Sequence, residues 1–417
     1  MEQNGVNSMI EGQDIICFAN DWDSDPLSKK HIMLRLARRN RVLWVNSIGT
    51  RNPQVSVRDF RRSLDKLKKF FDGCQRRGEN LFLFSPLAIP FHGNRAAQWV
   101  NRKWLSWSLR RVCRQLGFRN PITWSFLPTS ADVVGTLGEQ LIIYHCVDEF
   151  SEFTGTDKAG LLEMERRLMK KADLVIVSSS PLYESKRRYN PNTFLVTHGV
   201  DVQHFRKACD PETVVPEEIA NLKSPVIGFH GLVADWVDLE LVRFLASARP
   251  EWSFVLVGKQ DTNTERLRGM SNVYLAGGKD YASLPAYCKC FDVAILPFRV
   301  NELTLAANPL KLREYLAAGL PIVATAIPEA VRLATMERSV VRIGEGHQHF
   351  LEQIEALLGE GRGGPHLAVS QAMDSESWEE KVAEMCRVII QAKPMSAREQ
   401  APSHSSPSFQ ESWLENS

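Results

Sequence analysis

The sequence predicts an α/β protein of two domains, each built on a parallel β-sheet. Three observations lead to this prediction. Short apolar stretches alternate with helical stretches in the first half, the alternation starts again in the second half, and an acidic, proline-bearing segment separates the two series. The length of 417 residues also exceeds what one hydrophobic core usually supports. Because strands that alternate with helices form parallel sheets covered on both faces, we expect two Rossmann-like domains.

The first series contains seven predicted strands, each apolar and followed by polar or turn residues. They are, in chain order, DIICFAND, RVLWVNS, NLFLFSP, PITWSF, QLIIYHCVDEF, ADLVIVSS and TFLVTHGVD. Helical stretches lie between most of them, among them SKKHIMLRLARRN and residues 98–116.

The second series contains six predicted strands, and a terminal helix follows it. The strands are PVIGFHG, SFVLVGK, VYLAGGK, DVAILPF, PIVAT and SVVRI. The stretch SESWEEKVAEMCRVIIQAK predicts the terminal helix, because Ser377 is a favoured N-cap residue and Glu380 lies three residues further on.

These signals divide the chain into five segments, the last of which is rich in Ser, Pro, Glu and Gln and is predicted to be disordered. The segments are a first domain (1–204), a linker (205–223), a second domain (224–374), the terminal helix (375–393) and the tail (394–417).

Composition excludes several classes of protein. Hydrophobic residues make up 44% and charged residues 24% of the chain, as in ordinary globular proteins, and a net charge of +2 argues against a dedicated nucleic-acid binder. The amino terminus lacks the pattern of a signal peptide, and no apolar run approaches the ~20 residues that span a bilayer. We therefore expect a cytoplasmic protein whose membrane contact, where there is any, is peripheral.

The cysteines indicate free thiols in a reducing compartment. Eight are scattered along the chain, and only one pair is close, as C-K-C, with no second pair to complete a zinc site. They are Cys17, Cys74, Cys113, Cys146, Cys209, Cys288, Cys290 and Cys386. We expect no metal.

The stretch NPLKLREYLAAGLPIVAT predicts a capped helix followed by a buried strand. Asn308 is a favoured N-cap residue, Pro309 suits the first helical position, and Gly319 suits the position just after the helix. The helix follows the predicted strand DVAILPF, and the two form a βα unit.

Two opposite charges, Lys311 and Glu314, lie in the first turns of this helix. The amino end of a helix offers free N–H groups and a positive field to a phosphate, and Lys311 adds charge there. A carboxylate one turn further along can accept hydrogen bonds from both hydroxyls of a ribose. The alternative is a surface ion pair worth a few tenths of a kcal/mol, and the spacing alone leaves both interpretations open.

Five stretches carry a resemblance to a known family. They are, in chain order, YHCVDEF, ADLVIVSSSPLYESK, THGVDVQHF, GFHGLVADWVDLELV and PFRVNELTLAANPLKLREYLAAGLPIVAT. Together they resemble the GT-B glycosyltransferases of the group 1 (GT4-like) family, in particular bacterial enzymes of cell-surface polysaccharide assembly. The resemblance extends from Asp14 to about Lys393. It implies two Rossmann-like domains facing a central cleft, with the acceptor bound by the first, the nucleotide sugar by the second, and the terminal helix packed back on the first.

The resemblance also implies roles for residues of the predicted donor site. Glu314 matches the glutamate that holds the nucleotide ribose, while Lys311, Asn308 and the backbone near Thr304 would approach the diphosphate and the donor sugar. One departure is clear, because the family commonly has a second acid where this chain has Ala306. Contacts to the hydroxyls of the donor sugar would then fall to backbone amides or to Asn308.

Further donor-site residues come from the loops after three strands of the second domain. His230 and Gly231 belong to the resembling phosphate-side loop, where His230 could reach a phosphate oxygen or simply pack at the end of its strand. Gly258, Gly278 and Tyr281 match the walls that usually enclose the base, although a simple turn would also explain the glycines.

The acceptor side is predicted at the end of the strand QLIIYHC. His145, Asp148 and Glu149 are concentrated there, and such ends meet at the ligand-binding edge of a parallel sheet. Asp148 could act as a general base or, in a retaining enzyme, stabilise an oxocarbenium-like centre. The alternative is that Asp148 caps the following helix.

The exit of the first strand adds three residues to the predicted acceptor site: Asp21, Trp22 and Asp23.

Two basic stretches suggest contact with a membrane surface. Arg58–Phe71 combines basic residues with regularly spaced apolar ones, and Asn94–Asn120 has seven basic residues, no acid and three tryptophans. Basic helices with Trp can lie on anionic lipid, although an ordinary helix with inward-facing Trp is the alternative. We favour the membrane interpretation because the acceptors of the resembling enzymes are often lipid-linked.

The resemblance thus predicts a hexosyltransferase that uses a UDP- or GDP-sugar, retains configuration, and acts on a saccharide acceptor, in the first place a lipid-linked one, at the inner membrane surface. It would have no tightly bound cofactor, no metal and no nucleic-acid partner. Two alternatives stay open: a sugar-nucleotide epimerase of the same fold, and a non-catalytic scaffold of a polysaccharide assembly complex.

Overall fold

The structure, a computed structural model, describes residues 9–23, 28–47, 73–87, 95–336 and 339–392 and contains two β-sheets. The predictions for residues 58–71 and for the tail beyond residue 392 lie outside the described residues.

The first sheet has eight strands in the order β3-β4-β2-β1-β5-β6-β7-β8, and all neighbours are parallel except β3 and β4. The strands are β1 Asp14–Phe18, β2 Arg41–Val45, β3 Gln75–Arg76, β4 Leu81–Phe84, β5 Ile122–Ser125, β6 Leu141–Cys146, β7 Leu174–Val177 and β8 Thr193–Leu195. All seven strands predicted in this half are confirmed. The short edge strand β3 has no apolar pattern, so the sequence gives no signal for it.

The second sheet has six parallel strands in the order β11-β10-β9-β12-β13-β14. The strands are β9 Val226–His230, β10 Ser253–Val257, β11 Val273–Gly277, β12 Val293–Leu296, β13 Ile322–Ala324 and β14 Val341–Ile343. All six were predicted. We call the part of the chain that carries β1–β8 the N-terminal half and the part that carries β9–β14 the C-terminal half.

Helices connect the strands and cover both faces of each sheet. They are α1 Ser28–Leu36, α2 Arg95–Leu116, α3 Lys158–Lys171, α4 Ser180–Lys186, α5 Val202–Phe205, α6 Glu217–Ala220, α7 Leu239–Ala248, α8 Leu284–Lys289, α9 Glu302–Ala306, α10 Leu310–Ala317, α11 Pro328–Ala334, α12 His347–Gly359, α13 Leu367–Gln371 and α14 Trp378–Gln391. Short 3₁₀ turns lie at 128–132, 150–152, 206–209, 265–267, 281–283 and 374–376.

Apolar residues of the central strands are buried on both faces, as a sheet between two helical layers requires. Every residue of β1, β5, β7, β9, β10 and β12 is buried. The C-terminal half forms one continuous core, while the N-terminal half has a separate core on each face of its sheet. The predicted α/β fold with two parallel sheets is confirmed.

The terminal helix α14 packs with the N-terminal half. Ser377 caps it by accepting a hydrogen bond from the backbone N–H of Glu380, as its sequence predicts. Trp378 and Met385 are buried in one core of the N-terminal half. The segment predicted as a linker is not a free connection, because Phe205 belongs to the core of the C-terminal half.

The two halves meet where β7 ends and α10 begins. The side-chain amide of Asn308 donates to the backbone oxygen of Ser178 (2.6 Å), and the hydroxyl of Ser179 donates to the backbone oxygen of Ala306 (2.6 Å). Because both bonds are buried, they place the start of α10 next to the carboxyl ends of the strands in the N-terminal half.

Candidate active site

The helix α10 starts at the junction of the two halves, and Asn308 does not cap it as predicted. Pro309 occupies the cap position, and no side chain caps the helix. The side-chain amide of Asn308 instead donates a hydrogen bond to the backbone oxygen of Ser178, and its Oδ1 accepts one from Arg313 Nη1 (2.6 Å). The cap prediction is therefore wrong because tertiary hydrogen bonds outcompete the local one. A contact between Asn308 and a donor sugar stays a prediction, and both ends of its amide are already occupied.

Glu314 and Lys311 converge on the loop after β9. Glu314 Oε2 lies 3.8 Å from His230 Nε2, its side chain is 14% exposed, and no described residue donates a hydrogen bond to it. Burial raises the pKa of this carboxyl, and the charge of Lys311 opposes that rise. The stem of Lys311 lies over Gly231, where a Cβ atom would overlap Lys311 Cε. The structure therefore brings four of the predicted donor-site residues together.

His230 combines packing with an unused polar atom. Its ring stacks on Phe205 (centroids 5.9 Å apart) and meets Tyr315 edge-on (4.6 Å). Its Nε2 is buried, and no described residue is hydrogen-bonded to it. Burial and then the charge of Lys311 lower its pKa, so the ring is neutral at physiological pH. The ring packs at the strand end, as the alternative interpretation expects, and the contact of Nε2 with a phosphate oxygen stays a prediction.

The predicted glycines permit close approaches of the backbone. A Cβ atom at Gly258 would overlap the carbonyl oxygen of Gly231, and one at Gly278 would lie 2.8 Å from Lys259 Cγ. Gly231 itself has φ +135, a conformation that side chains rarely adopt. The loops after β9, β10 and β11 thus form one continuous wall beside α10.

Tyr281 lies on this wall and contacts the segment before the C-terminal half. Its ring stacks on His204 (4.5 Å between centroids, 13° between planes), and its carbonyl oxygen lies 2.9 Å from His204 Nε2. Burial, followed by the charge of Glu314, raises the pKa of the Tyr281 hydroxyl. Tyr281 and Glu314 therefore lie within electrostatic range of each other.

Thr304 and Ala306 lie on α9, the short helix just before α10. The Thr304 hydroxyl closes a capping box with Asn301 and donates to the backbone oxygen of Arg299. Thr304 is 2% exposed and its hydroxyl is already hydrogen-bonded, so a contact between the backbone near Thr304 and the donor stays a prediction. Ala306 is the residue whose carbonyl bonds to Ser179, in the place where the resemblance expects an acid.

On the other side of the junction, His145 lies near the end of β6 and Asp148 follows the strand. Trp124 Nε1 donates to His145 Nδ1 (3.4 Å), so the proton of the neutral ring lies on Nε2, which no described residue accepts. Asp148 does not cap a helix: Glu149 precedes the next 3₁₀ turn, and Asp157 caps α3. Burial raises the pKa of Asp148, the charge of Lys29 opposes the rise and Glu149 adds to it, and the resulting pKa is about 6.

Glu149 is held in a buried ion-pair network. Lys186 Nζ contacts Glu149 Oε2 (2.8 Å) and Glu165 Oε2 (2.8 Å), and the Tyr144 hydroxyl donates to Glu165 Oε1 (2.7 Å). Burial lowers the pKa of Lys186, but the two neighbouring carboxylates outweigh burial and hold this pKa above its usual value. Glu149 thus anchors the segment that carries Asp148, and its predicted contact with the acceptor stays a prediction.

The loop after β1 is fixed against β2. The carboxylate of Asp21 accepts hydrogen bonds from Ser47, and the Trp22 backbone N–H donates to Asn46 Oδ1 (2.9 Å). The Trp22 ring meets Trp44 edge-on at 5.0 Å.

The loop also carries Asp23, which is the last of the described residues 9–23. The acceptor-side roles of Asp21, Trp22 and Asp23 stay predictions.

Sequence reasoning missed four buried polar residues near the junction: Lys29, Lys186, His198 and Arg313. Each belongs to a helix or strand end whose pattern looks ordinary, and their burial follows from the packing of distant segments. The one available signal was that Lys29 and His198 flank strand exits, where ligand-binding residues collect.

Comparison with known sequences finds a family match for part of the second half of the chain. Residues 224–360 match the model described as "Glycosyl transferases group 1". A curated relative from Bacillus subtilis (strain 168), TuaH, is named as a candidate teichuronic acid biosynthesis glycosyltransferase. It is 25% identical over 235 residues, which is 52% of this chain and 59% of the relative. The match therefore spans less than two thirds of the relative's length.

Solved structures share the fold over nearly the whole chain. Sucrose-phosphate synthase from Thermosynechococcus elongatus matches with a TM-score of 0.63 and 15% identity, over 91% of this chain and 98% of that one. Anabaena HepE in complex with UDP-glucose matches with a TM-score of 0.63 and 12% identity, over 90% and 99%. At such identities these structures show the fold alone, and they confirm the predicted GT-B arrangement.

Among the described residues, no helix is both long and apolar enough to cross a membrane. The same part of the chain contains no group of three or more His, Cys, Asp or Glu side chains placed to hold a metal ion.

Proposed function

We propose that this chain, which has the GT-B fold and carries a group 1 glycosyltransferase domain, transfers a sugar from a nucleotide-sugar donor to a saccharide acceptor. One observation carries the proposal. Lys311 and Glu314 face the loop after β9 from the start of a helix, and Glu314 has a nearly buried carboxylate that no described residue satisfies. Such a carboxylate is costly to leave without a partner, so a hydroxyl-rich ligand beside it accounts for its presence.

The donor binds along the wall formed by the loops after β9, β10 and β11. Glu314 accepts hydrogen bonds from the ribose hydroxyls, and the ammonium of Lys311 pairs with the diphosphate. The close approach of Gly231 and Gly258 lets backbone lie against the nucleotide without steric conflict. Anabaena HepE, which has the same fold, is described with UDP-glucose, and this supports a UDP- or GDP-sugar as the donor here.

The reaction transfers the anomeric carbon between two oxygens with retention of configuration. The bond from that carbon to the diphosphate oxygen breaks and its electron pair stays on the diphosphate. The acceptor hydroxyl oxygen forms the new bond, and its proton passes to the departing diphosphate oxygen. Asp148, ionised above its pKa of about 6, stabilises the positive charge that develops at the carbon. Lys311 and the amino end of α10 stabilise the negative charge that develops on the diphosphate, so no metal is required.

The acceptor is a lipid-linked saccharide in cell-surface polysaccharide synthesis, and the helix α2 contacts the inner membrane surface. Trp99, Trp104 and Trp107 are 63%, 38% and 49% exposed on this helix, which has basic residues and no acids. The Arg111 guanidinium lies 5.7 Å from the Trp107 ring. Exposed Trp together with cationic side chains suits the interface of an anionic bilayer. The name of the curated relative supports the polysaccharide role.

A thermal-shift screen against UDP-, GDP-, ADP- and dTDP-sugars tests the donor assignment. A ligand that binds only the folded chain raises the melting temperature by mass action, so selective stabilisation identifies the base. The stabilising donor is then incubated with the protein without an acceptor. An epimerised nucleotide sugar would identify an epimerase and overturn the transfer reaction, and the absence of stabilisation by any nucleotide sugar would overturn the donor site.

A further inference from the structure

Lys29 carries a buried charge at the junction-facing end of the N-terminal half. It lies in the first turn of α1, just after the exit of β1, and is 4% exposed. Its ammonium lies 5.9 Å from the centroid of the Phe126 ring and 5.3 Å from that of Phe150. Asn20 Oδ1 accepts a hydrogen bond from it (2.6 Å), and it makes no other among the described residues. Lysine is rarely buried without a charged partner in contact, and two of its three N–H donors are left over.

Two buried histidines that act electrostatically with Lys29 each have one ring nitrogen without a hydrogen-bond partner. His145 and His198 are 0% and 5% exposed, and within the described part of the chain His145 Nε2 and His198 Nδ1 have no hydrogen-bond partner. Burial lowers the pKa of both rings, to about 3 for His198, and the charge of Lys29 acts in the same direction. Both rings are therefore neutral. Buried polar atoms without a hydrogen-bond partner are uncommon in proteins. We therefore infer that a polar ligand supplies the missing hydrogen bonds to Lys29, His145 and His198.

Asp148 supplies the opposite charge beside Lys29. Each of the two affects the pKa of the other, yet they form no ion pair within 4.0 Å. The charged groups that act on Asp148 are Lys29 on α1 and Glu149 on its own segment. The two charges are therefore neighbours without a direct ion pair, and among the described residues no side-chain hydrogen bond joins them. Because the two charges cancel, these two side chains suit neutral hydroxyls better than an anion.

Resting on the function proposed above, we propose that Lys29 is an acceptor-binding residue that selects sugars with two adjacent hydroxyls. The hydroxyl next to the attacking one donates a hydrogen bond to Asp148 and accepts one from the Lys29 ammonium, so the attacking hydroxyl keeps its proton for the departing diphosphate oxygen. In this arrangement Lys29 orients the acceptor without withdrawing electrons from the attacking oxygen. Lys29 also keeps Asp148 ionised, as charge stabilisation at the anomeric carbon requires.

The variant Lys29→Met tests this proposal, because methionine keeps an unbranched apolar stem between the two Phe rings. Lys171→Met is the control, since Lys171 is a half-buried lysine of α3 whose ammonium donates to the backbone oxygens of Ala131 and Val134, away from the predicted site residues. The acceptor probes are p-nitrophenyl hexosides, used with the donor that the thermal-shift screen selects. We expect Lys29→Met to raise the acceptor KM about tenfold or more, with the nucleotide-sugar Kd unchanged within about twofold. Lys171→Met should leave both constants unchanged.

A fall in kcat with an unchanged acceptor KM, or an equal loss in both variants, would overturn the acceptor role. A probe that lacks the hydroxyl adjacent to the attacking one should be a poor acceptor for the wild-type chain and should lose no further activity in Lys29→Met. If that probe is as good as its parent for the wild type, the two-hydroxyl assignment is wrong.

A measurement without substrate separates failure of this proposal from failure of the proposed function. Because the folded pKa of Asp148 is raised, the contribution of Asp148 to stability falls as pH rises from about 4 to about 6, and the difference between the wild type and Asp148→Asn isolates that contribution. Removing the charge of Lys29 raises that pKa further, so in Lys29→Met the fall in this contribution should extend to higher pH. Asp148→Asn should abolish the contribution in both backgrounds. Superimposable pH profiles of wild type and Lys29→Met would show that the two groups are not coupled, whatever the reaction.

Discussion

The side-chain amide of Asn308 donates to the backbone oxygen of Ser178 over 2.6 Å and so joins the start of α10 to the end of β7. Its other end accepts from Arg313, a fully buried guanidinium that also contacts Glu329 (2.7 Å) and Glu376 (3.2 Å). One buried cation therefore connects the helix that carries Glu314, the C-terminal half and the segment that leads into α14.

The substitution Asn308→Ala should destabilise the chain by about 2–3 kcal/mol, because it leaves a buried guanidinium N–H and the Ser178 carbonyl without partners. The free energy of unfolding from urea titration checks this. Ser179→Ala is the control: it removes the neighbouring bond to Ala306 and a helix cap but leaves no buried charge without a partner, and should cost about 1–2 kcal/mol. Equal losses in the two variants would contradict the importance of the Arg313 contact.

The substitution Glu314→Ala should weaken binding of the nucleotide identified by the thermal-shift screen by about tenfold to a hundredfold, the effect of losing hydrogen bonds to a charged group. Isothermal titration calorimetry measures it. Glu302→Ala is the matched control, an exposed acid in the first turn of the adjacent helix α9. Unchanged nucleotide affinity in Glu314→Ala, or an equal loss in Glu302→Ala, would refute the donor site.

The substitution Lys186→Met should cost about 3–5 kcal/mol, because it removes the shared partner of two buried carboxylates, Glu149 and Glu165. Stability at neutral pH, measured by chemical denaturation, shows the loss, and part of it should return at acid pH as the carboxyls become neutral. Arg187→Ala, on the next residue and in an exposed pair with Glu184, should change stability by less than about 1 kcal/mol. A small loss in Lys186→Met would mean that water replaces the ammonium.

The sequence predicts the fold better than the site. Apolar runs and their turn residues identify the strands of both sheets apart from β3, because burial on both faces of a parallel sheet leaves a continuous apolar signature. Glu314 and Lys311 could be selected because their spacing along α10 is local and matches a family motif. The bond from Asn308 to Ser178, and the burial of Lys29, depend on segments that are far apart in sequence. Neither has a local pattern, so composition and periodicity could not predict them.

The exposed tryptophans of α2 give a prediction about lipid. Trp99 and Trp107 have large exposed rings on a helix without acids, so the chain should sediment with vesicles that contain phosphatidylglycerol and much less with pure phosphatidylcholine. The double variant Trp99→Ala/Trp107→Ala should reduce the bound fraction by about threefold or more, because interfacial aromatic area is lost. Tyr189→Ala is the matched control, since this exposed ring also lies near a guanidinium, that of Arg166 at 5.8 Å, but outside α2. Equal binding by both variants, or equal binding to the neutral vesicles, would mean that α2 does not contact the membrane.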